Sequence, residues 1–159
     1  DATPLRRHCG RRESAQDKNL YQASRAATYI GLAARPALAD GGLLLLCADL
    51  PRGPGDGPGE LNFGRLLADA GDPSELVARG LRGPLGPGGQ RAFVVARVLE
   101  RFRLGVCGAA DAVQLASLGI RPYRSIAEGL SAARSPGAGR APRILVVADA
   151  LTTIVRGPT

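Results

Sequence analysis

Apolar positions set the first pattern. Between residues 17 and 34, Leu20, Ala23, Ala27, Ile30 and Ala34 recur every three to four residues, which draws one apolar face on a helix. Asp17 stands where an N-cap belongs, and Pro36 and Gly41-Gly42 close the segment. Residues 43–48 (LLLLCA) form a continuous apolar run between glycines and Asp49, which predicts a strand buried on both faces.

Residues 52–59 (RGPGDGPG) form a glycine-proline loop, and residues 61–70 a short helix. Asp72-Pro73-Ser74-Glu75 places a cap, a proline at N1 and an acid at N3, so a helix runs on to about Leu81. Residues 90–102 carry Phe93, Val94, Ala96, Val98 and Leu99 against Arg91, Arg97, Glu100 and Arg101, an amphipathic helix. Residues 104–107 (LGVC) predict a second buried strand and residues 111–118 a short helix. Ser125 and Glu128 form a capping box that opens a helix to about Arg134. Residues 144–148 (ILVVA) predict a third strand, and residues 152–155 one more extended piece.

Alternating short strands and helices predict an α/β fold: a short parallel sheet of three to four strands with helices on both faces. Such a domain opens on a strand, and residues 1–16 supply none. They hold four arginines and no periodicity, so they read as an unpatterned polar tail, with the body at 17–156 and a second tail at 157–159. We expect residues 1–16 to be foreign to the body, and the lost first strand to leave it marginally folded or self-associating.

The chain has 159 residues, 45% hydrophobic and 22% charged, with 22 glycines and 12 prolines. That is the composition of one globular domain with many loops. No apolar run approaches the roughly 20 residues of a transmembrane helix, so no membrane partner is expected. The net charge of +7 raises nucleic acid. All but Lys18 of the 21 basic residues are arginines, scattered in runs of at most two, and aromatics are 4%. A nucleic-acid partner is therefore not expected. The cysteines Cys9, Cys47 and Cys107 are widely spaced and suit neither a disulfide framework nor a zinc site, so a reducing cytoplasm is the expected setting. Cys47 and Cys107, inside apolar strands, are expected to be buried, inert thiols.

Candidate chemistry is sparse. Asp49, Asp111 and Asp149 each follow an expected strand, where open parallel sheets bind ligands. Asp111 reads as a helix cap, and Asp49 with Asp149 as an edge pair. Gly53, Gly55, Gly57 and Gly59 fit no phosphate-loop motif, and a mobile loop facing a partner is the better reading. The single histidine, His8, lies in the tail, and no metal-ligand spacing occurs.

Residues 17–25 (DKNLYQASR) are the most suggestive. On a helix they bring Tyr21, Gln22 and Arg25 within three to four residues of one another. A phenol, an amide and a guanidinium near a helix N-terminus suit a small carboxylate. From composition alone, a solvated polar face with a Tyr–Arg stack is the favoured reading.

The strings DKNLYQASRAA and ADGGLLLLCADLPRGPGDG resemble the C-terminal domain of the nickel-pincer-nucleotide-dependent lactate racemase family (LarA-type 2-hydroxyacid racemases and epimerases). The resemblance spans residues 17–156, with a D-x-N-x-Y-Q-A helix, a Gly-Gly turn into a strand and a G-x-G loop. It implies that Tyr21, Gln22 and Arg25 contact a 2-hydroxy carboxylate substrate, Arg25 standing where the family has lysine. It also implies that hydride transfer occurs at a nickel-pincer nucleotide held by an N-terminal domain. The residues that bear that cofactor have no counterpart here, so the isolated chain is expected to be inactive and to bind no cofactor or metal alone. A non-catalytic α/β module that binds a small acid or a protein remains the alternative.

Overall fold

The computed structural model describes residues 19–109, 111–133, 143–153, 155 and 157. Three strands form one parallel sheet in the order β1-β2-β3: β1 is Leu43–Leu50, β2 is Arg103–Ala109 and β3 is Arg121–Tyr123. Among the described residues six helices flank it: α1 Leu20–Gly31, α2 Pro58–Ala70, α3 Pro73–Arg82, α4 Gly89–Leu99, α5 Ala112–Ser117 and α6 Ile126–Ala132. The α/β expectation holds.

Successive strand residues point to opposite faces, and a helix packs against each face, fully on the α4 side and in part on the α6 side. Leu44 pairs with Leu104 and Leu46 with Val106 on one face. There, a Cβ on Gly31 of α1 would lie 3.2 Å from Val98 of α4 and 3.4 Å from Leu44. Leu45 faces the other way, and a Cβ on Gly129 of α6 would lie 2.7 Å from it. Glycine at both positions lets a helix seat close on the strand.

The core lies on the α4 side. Ala92, Val95, Ala96 and Val98 of α4 are buried among Leu20 and Ala27 of α1, Phe63 and Leu66 of α2, and Leu76 of α3. The local signals behave as their chemistry requires. Asp72 caps α3 by accepting from the Ser74 N–H at 2.9 Å, and Ser125 caps α6 by accepting from Glu128 at 3.1 Å. Asp111 caps α5 by accepting from the Gln114 N–H at 2.9 Å, as its sequence position suggested.

Three expectations need correction. The cap of α1 is Asn19, with Asp17 outside the described residues. Residues 144–148 form no strand: Ile144, Leu145 and Val146 are 57%, 63% and 83% exposed, and a turn follows at 148–152; the extended piece expected at 152–155 lies partly outside the described residues. Apolar β-branched residues favour a strand only where a paired neighbour exists, and the sheet gives this segment none. The third strand is instead Arg121–Tyr123, too short and too polar to announce itself. Its Pro122 lacks an N–H, which an edge strand tolerates. Residues 1–16, including His8 and Cys9, lie outside the described residues, as do Lys18 and Arg134.

Candidate functional site

The site begins at the N-terminus of α1, where unpaired N–H groups need acceptors. The Gln22 N–H donates to Asn19 Oδ1 at 3.0 Å. The Leu20 N–H donates to the Gly53 carbonyl at 2.6 Å and the Tyr21 N–H to the Pro54 carbonyl at 3.4 Å. The glycine loop thus turns carbonyls, not N–H groups, toward the helix. Pro54 and Gly55 are buried, so the loop is a docked structural element here and not the mobile partner-facing loop expected. Because its carbonyls and Asn19 occupy the first turn, this end of α1 is not an anion cradle.

Glu60 locks the same corner. One carboxylate oxygen accepts from Asn19 Nδ2 at 2.9 Å and the other from the Gly57 N–H at 2.9 Å. Gly55, at φ +112°, leaves no room for a Cβ beside Glu60 and Asn19.

Beyond this corner one face of α1 borders a cleft of about 810 Å³. The helix and its C-cap contribute Tyr21, Thr28, Tyr29 and Leu32, the last three lying seven, eight and eleven residues beyond Tyr21 and so on one face. Gln90, Arg91 and Val94 of α4 form the facing wall, and residues 151–153 close the end. The Gly86 to Gly88 turn aims α4: Gly88 has φ +74°, and a Cβ there would strike the Gly59 carbonyl.

Tyr21 is fixed from two sides. Its ring meets buried Phe63 edge-on, centroids 5.4 Å apart at 87°. The Arg91 guanidinium sits 5.7 Å from the same ring centroid. Arg91 Nε is buried without a hydrogen-bond partner. One turn along α1, Arg25 Nη2 donates to the Tyr29 hydroxyl at 3.1 Å, with the guanidinium 5.9 Å from that ring. This hydrogen bond, and then the Arg25 charge, hold the Tyr29 phenol below its ordinary pKa, and Arg91 adds to the effect. Arg25 is shifted up in turn.

Of the three residues singled out in the sequence, Tyr21 lines the cleft. Arg25 and Gln22 are exposed and do not line it, Arg25 reaching its edge only through the hydrogen bond to Tyr29. Arg91, Gln90, Tyr29 and the 151–153 turn were missed. Arg91 was visible as one polar residue among several on α4. Nothing in the sequence says which of them meets Tyr21.

The remaining candidates disperse. Asp49 and Asp149 are both exposed, and Asp149 begins a turn with its carbonyl accepting from the Thr153 N–H at 3.0 Å. With no strand before Asp149, the pairing at a common sheet edge loses its basis. Cys47 is exposed and Cys107 half-buried, not the fully buried pair expected. They are register partners on the α6 face of the sheet, which α6 covers only in part. No group of three or more His, Cys, Asp or Glu able to hold a metal occurs among the described residues. No helix there is long and apolar enough to cross a membrane.

No protein-family model and no curated protein sequence matches this chain. Among solved structures it is similar to the lactate racemase apoprotein from Thermoanaerobacterium thermosaccharolyticum. The TM-score is 0.73 at 23% identity over 89% of this chain. The match spans 33% of that protein, about a third of its length, and establishes the fold of that part.

Proposed function

We propose that this chain is the substrate-side domain of a 2-hydroxyacid racemase or epimerase. It binds the substrate carboxylate, and the hydride chemistry belongs to a separate domain that holds the nickel-pincer nucleotide. The observation that carries the reading is Arg91: a guanidinium seated on the Tyr21 ring, lining an open cleft, with a buried Nε that has no acceptor. A carboxylate entering the cleft would supply an anion for the Arg91 guanidinium, which has no ion pair among the described residues. The likeness to part of a lactate racemase supports a 2-hydroxy acid as the carboxylate's owner.

The cleft offers binding groups and no metal-holding set, so no redox step is assigned to its residues. Tyr21 packs edge-on against Phe63 and carries the Arg91 guanidinium on its ring. Tyr29, Gln90 and Thr153 add hydroxyl and amide groups along the cleft for the substrate hydroxyl. Gln22 and Arg25 belong to this reading as outer contacts that a second domain would bring into the site.

Calorimetric titration of L-lactate and D-lactate into the full chain tests the reading. We expect both enantiomers to bind with similar affinity, since a racemase site must hold both. Arg91→Gln should weaken both about tenfold. Absence of lactate binding would overturn it. In an intact enzyme containing this segment, Arg25→Ala should raise KM strongly, and an unchanged KM would remove Arg25 from the site. Equal carboxylate binding by an enzyme-free chain whose gene neighbours encode no nucleotide-holding domain would favour the non-catalytic small-acid module. The binding groups without catalytic ones are what speak for that alternative.

A further inference from the structure

We propose that Cys47 and Cys107 form a two-thiol site for a soft, two-coordinate metal cation such as Cu(I). It lies on the face of the sheet opposite α1 and α4, away from the cleft, and stands independently of the carboxylate reading above.

The two cysteines are 60 positions apart, so no ligand spacing marks them in the sequence. The sheet brings them together. They are register partners on neighbouring parallel strands, at the last position before the register of β1 and β2 shifts. Paired residues of parallel strands send their side chains out on one face, side by side. Both are free thiols, Cys47 exposed and Cys107 half-buried. α6 seats on Leu45, two residues earlier on the same face, and leaves Cys47 open to solvent. Tyr123, the register partner of Cys107 on β3, borders the other side, with its ring over Gly105.

Spacing decides what the pair can hold. Neighbouring strands lie about 4.8 Å apart, and side chains that leave in parallel keep their Cβ atoms at about that separation. A disulfide needs those atoms about 3.8 Å apart and the sulfurs bonded at about 2.05 Å, so β1 and β2 would have to close up. They already run tight at this end, where a Cβ on Gly108 would lie 2.7 Å from the Ala48 carbonyl oxygen. A metal bridges the gap instead: thiolate-to-metal bonds run to about 2.3 Å, and two in line span about 4.6 Å.

The donor count selects the metal. Among the described residues no third His, Cys, Asp or Glu joins the pair in a metal-holding group. Zinc asks for four ligands, and magnesium or calcium for oxygens, whereas a soft monovalent cation is satisfied by two thiolates. Partial burial and then the neighbouring Cys107 raise the Cys47 pKa. The second cause is repulsion between thiolates, which a cation between them removes.

The test mixes the reduced full chain with Cu(I) held as its ferrozine complex, without oxygen, and follows the loss of that complex's colour. We expect one equivalent of Cu(I) to pass to the protein, and the loaded protein to resist maleimide at Cys47 and Cys107. Cys47→Ser and Cys107→Ser should each weaken binding about a hundredfold, since losing a ligand costs no less than losing that ligand's outer support. Cys9→Ser should leave it unchanged. Cys47 is exposed, so Cys47→Ser decides if Cys107→Ser fails to fold. No transfer of Cu(I) would overturn the proposal and leave the carboxylate reading standing. Transfer that survives in Cys47→Ser, or is lost in Cys9→Ser, would overturn it by placing the metal elsewhere. Displacement by equimolar Zn(II) would overturn the two-coordinate assignment.

Discussion

Asn19 and Glu60 join α1, which lines the site, to α2 beside it, through a 2.9 Å hydrogen bond from Asn19 Nδ2 to the Glu60 carboxylate. The residues are 41 positions apart, and Asn19 is 3% exposed. The same asparagine caps α1, and the same carboxylate caps α2 through the Gly57 N–H. One contact therefore sets where α1 starts and how the glycine loop lies between the helices.

Asn19→Ala removes the cap of α1 and leaves the Glu60 carboxylate short of a donor. Loss of the cap costs about 1 kcal/mol, and the orphaned acceptor raises the total to about 2 kcal/mol. Urea unfolding of Asn19→Ala, Glu60→Gln and the double variant measures the coupling. Strictly additive effects would show that the two residues act apart.

Gly88→Ala should be more damaging than any exposed alanine substitution in the chain. The backbone at φ +74° disfavours a side chain by about 1–2 kcal/mol. The added Cβ also meets the Gly59 carbonyl, so α2 and α4 must separate at their N-terminal ends. A total loss of about 3 kcal/mol or more is expected in chemical denaturation. Gly41→Ala provides the control, since its φ of +76° matches that of Gly88 with no atom near the added Cβ.

Tyr29 should ionise below the ordinary tyrosine range, because Arg25 donates to its oxygen and favours the phenolate. A pKa lowered in the folded state stabilises the fold only once the phenolate forms. The gain is complete above about pH 10 and is lost as pH falls through the folded value, so stability at neutral pH is unaffected. Arg25→Gln should move the tyrosinate absorbance step upward. An unmoved step would show that the Arg25–Tyr29 contact does not persist in solution.

Cys47 should be alkylated before Cys107, since it is the more exposed of the two thiols. Partial burial raises its pKa and the neighbouring Cys107 adds to the rise, so labelling should be slow at pH 7 and accelerate through pH 9. Mass spectrometry of a maleimide time course in native buffer follows both sites. Faster labelling of Cys107 would contradict the exposure of this sheet face.

The sequence by itself determined the α/β class, the two long strands and the starts of α3, α5 and α6. Those features rest on local causes: continuous apolar runs, a 3.6-residue period, and capping side chains that act within three residues of themselves. Tyr21 and Arg25 were legible for the same reason, as neighbours on one helix face. Tertiary structure decided the rest. Residues 144–148 have every local mark of a strand and lack an edge to pair with, while Arg121–Tyr123 has almost none and is held in the sheet by β2. The glycine loop resembles an anion cradle in composition, yet its carbonyls face α1. Arg91 becomes the centre of the candidate site because the turn at Gly88 sets α4 so that this arginine, 70 positions from Tyr21, lies over its ring. Local pattern fixes which backbone conformation a segment favours. Which donor meets which acceptor across the chain depends on how the segments close around a common core, and that is a property of the whole fold.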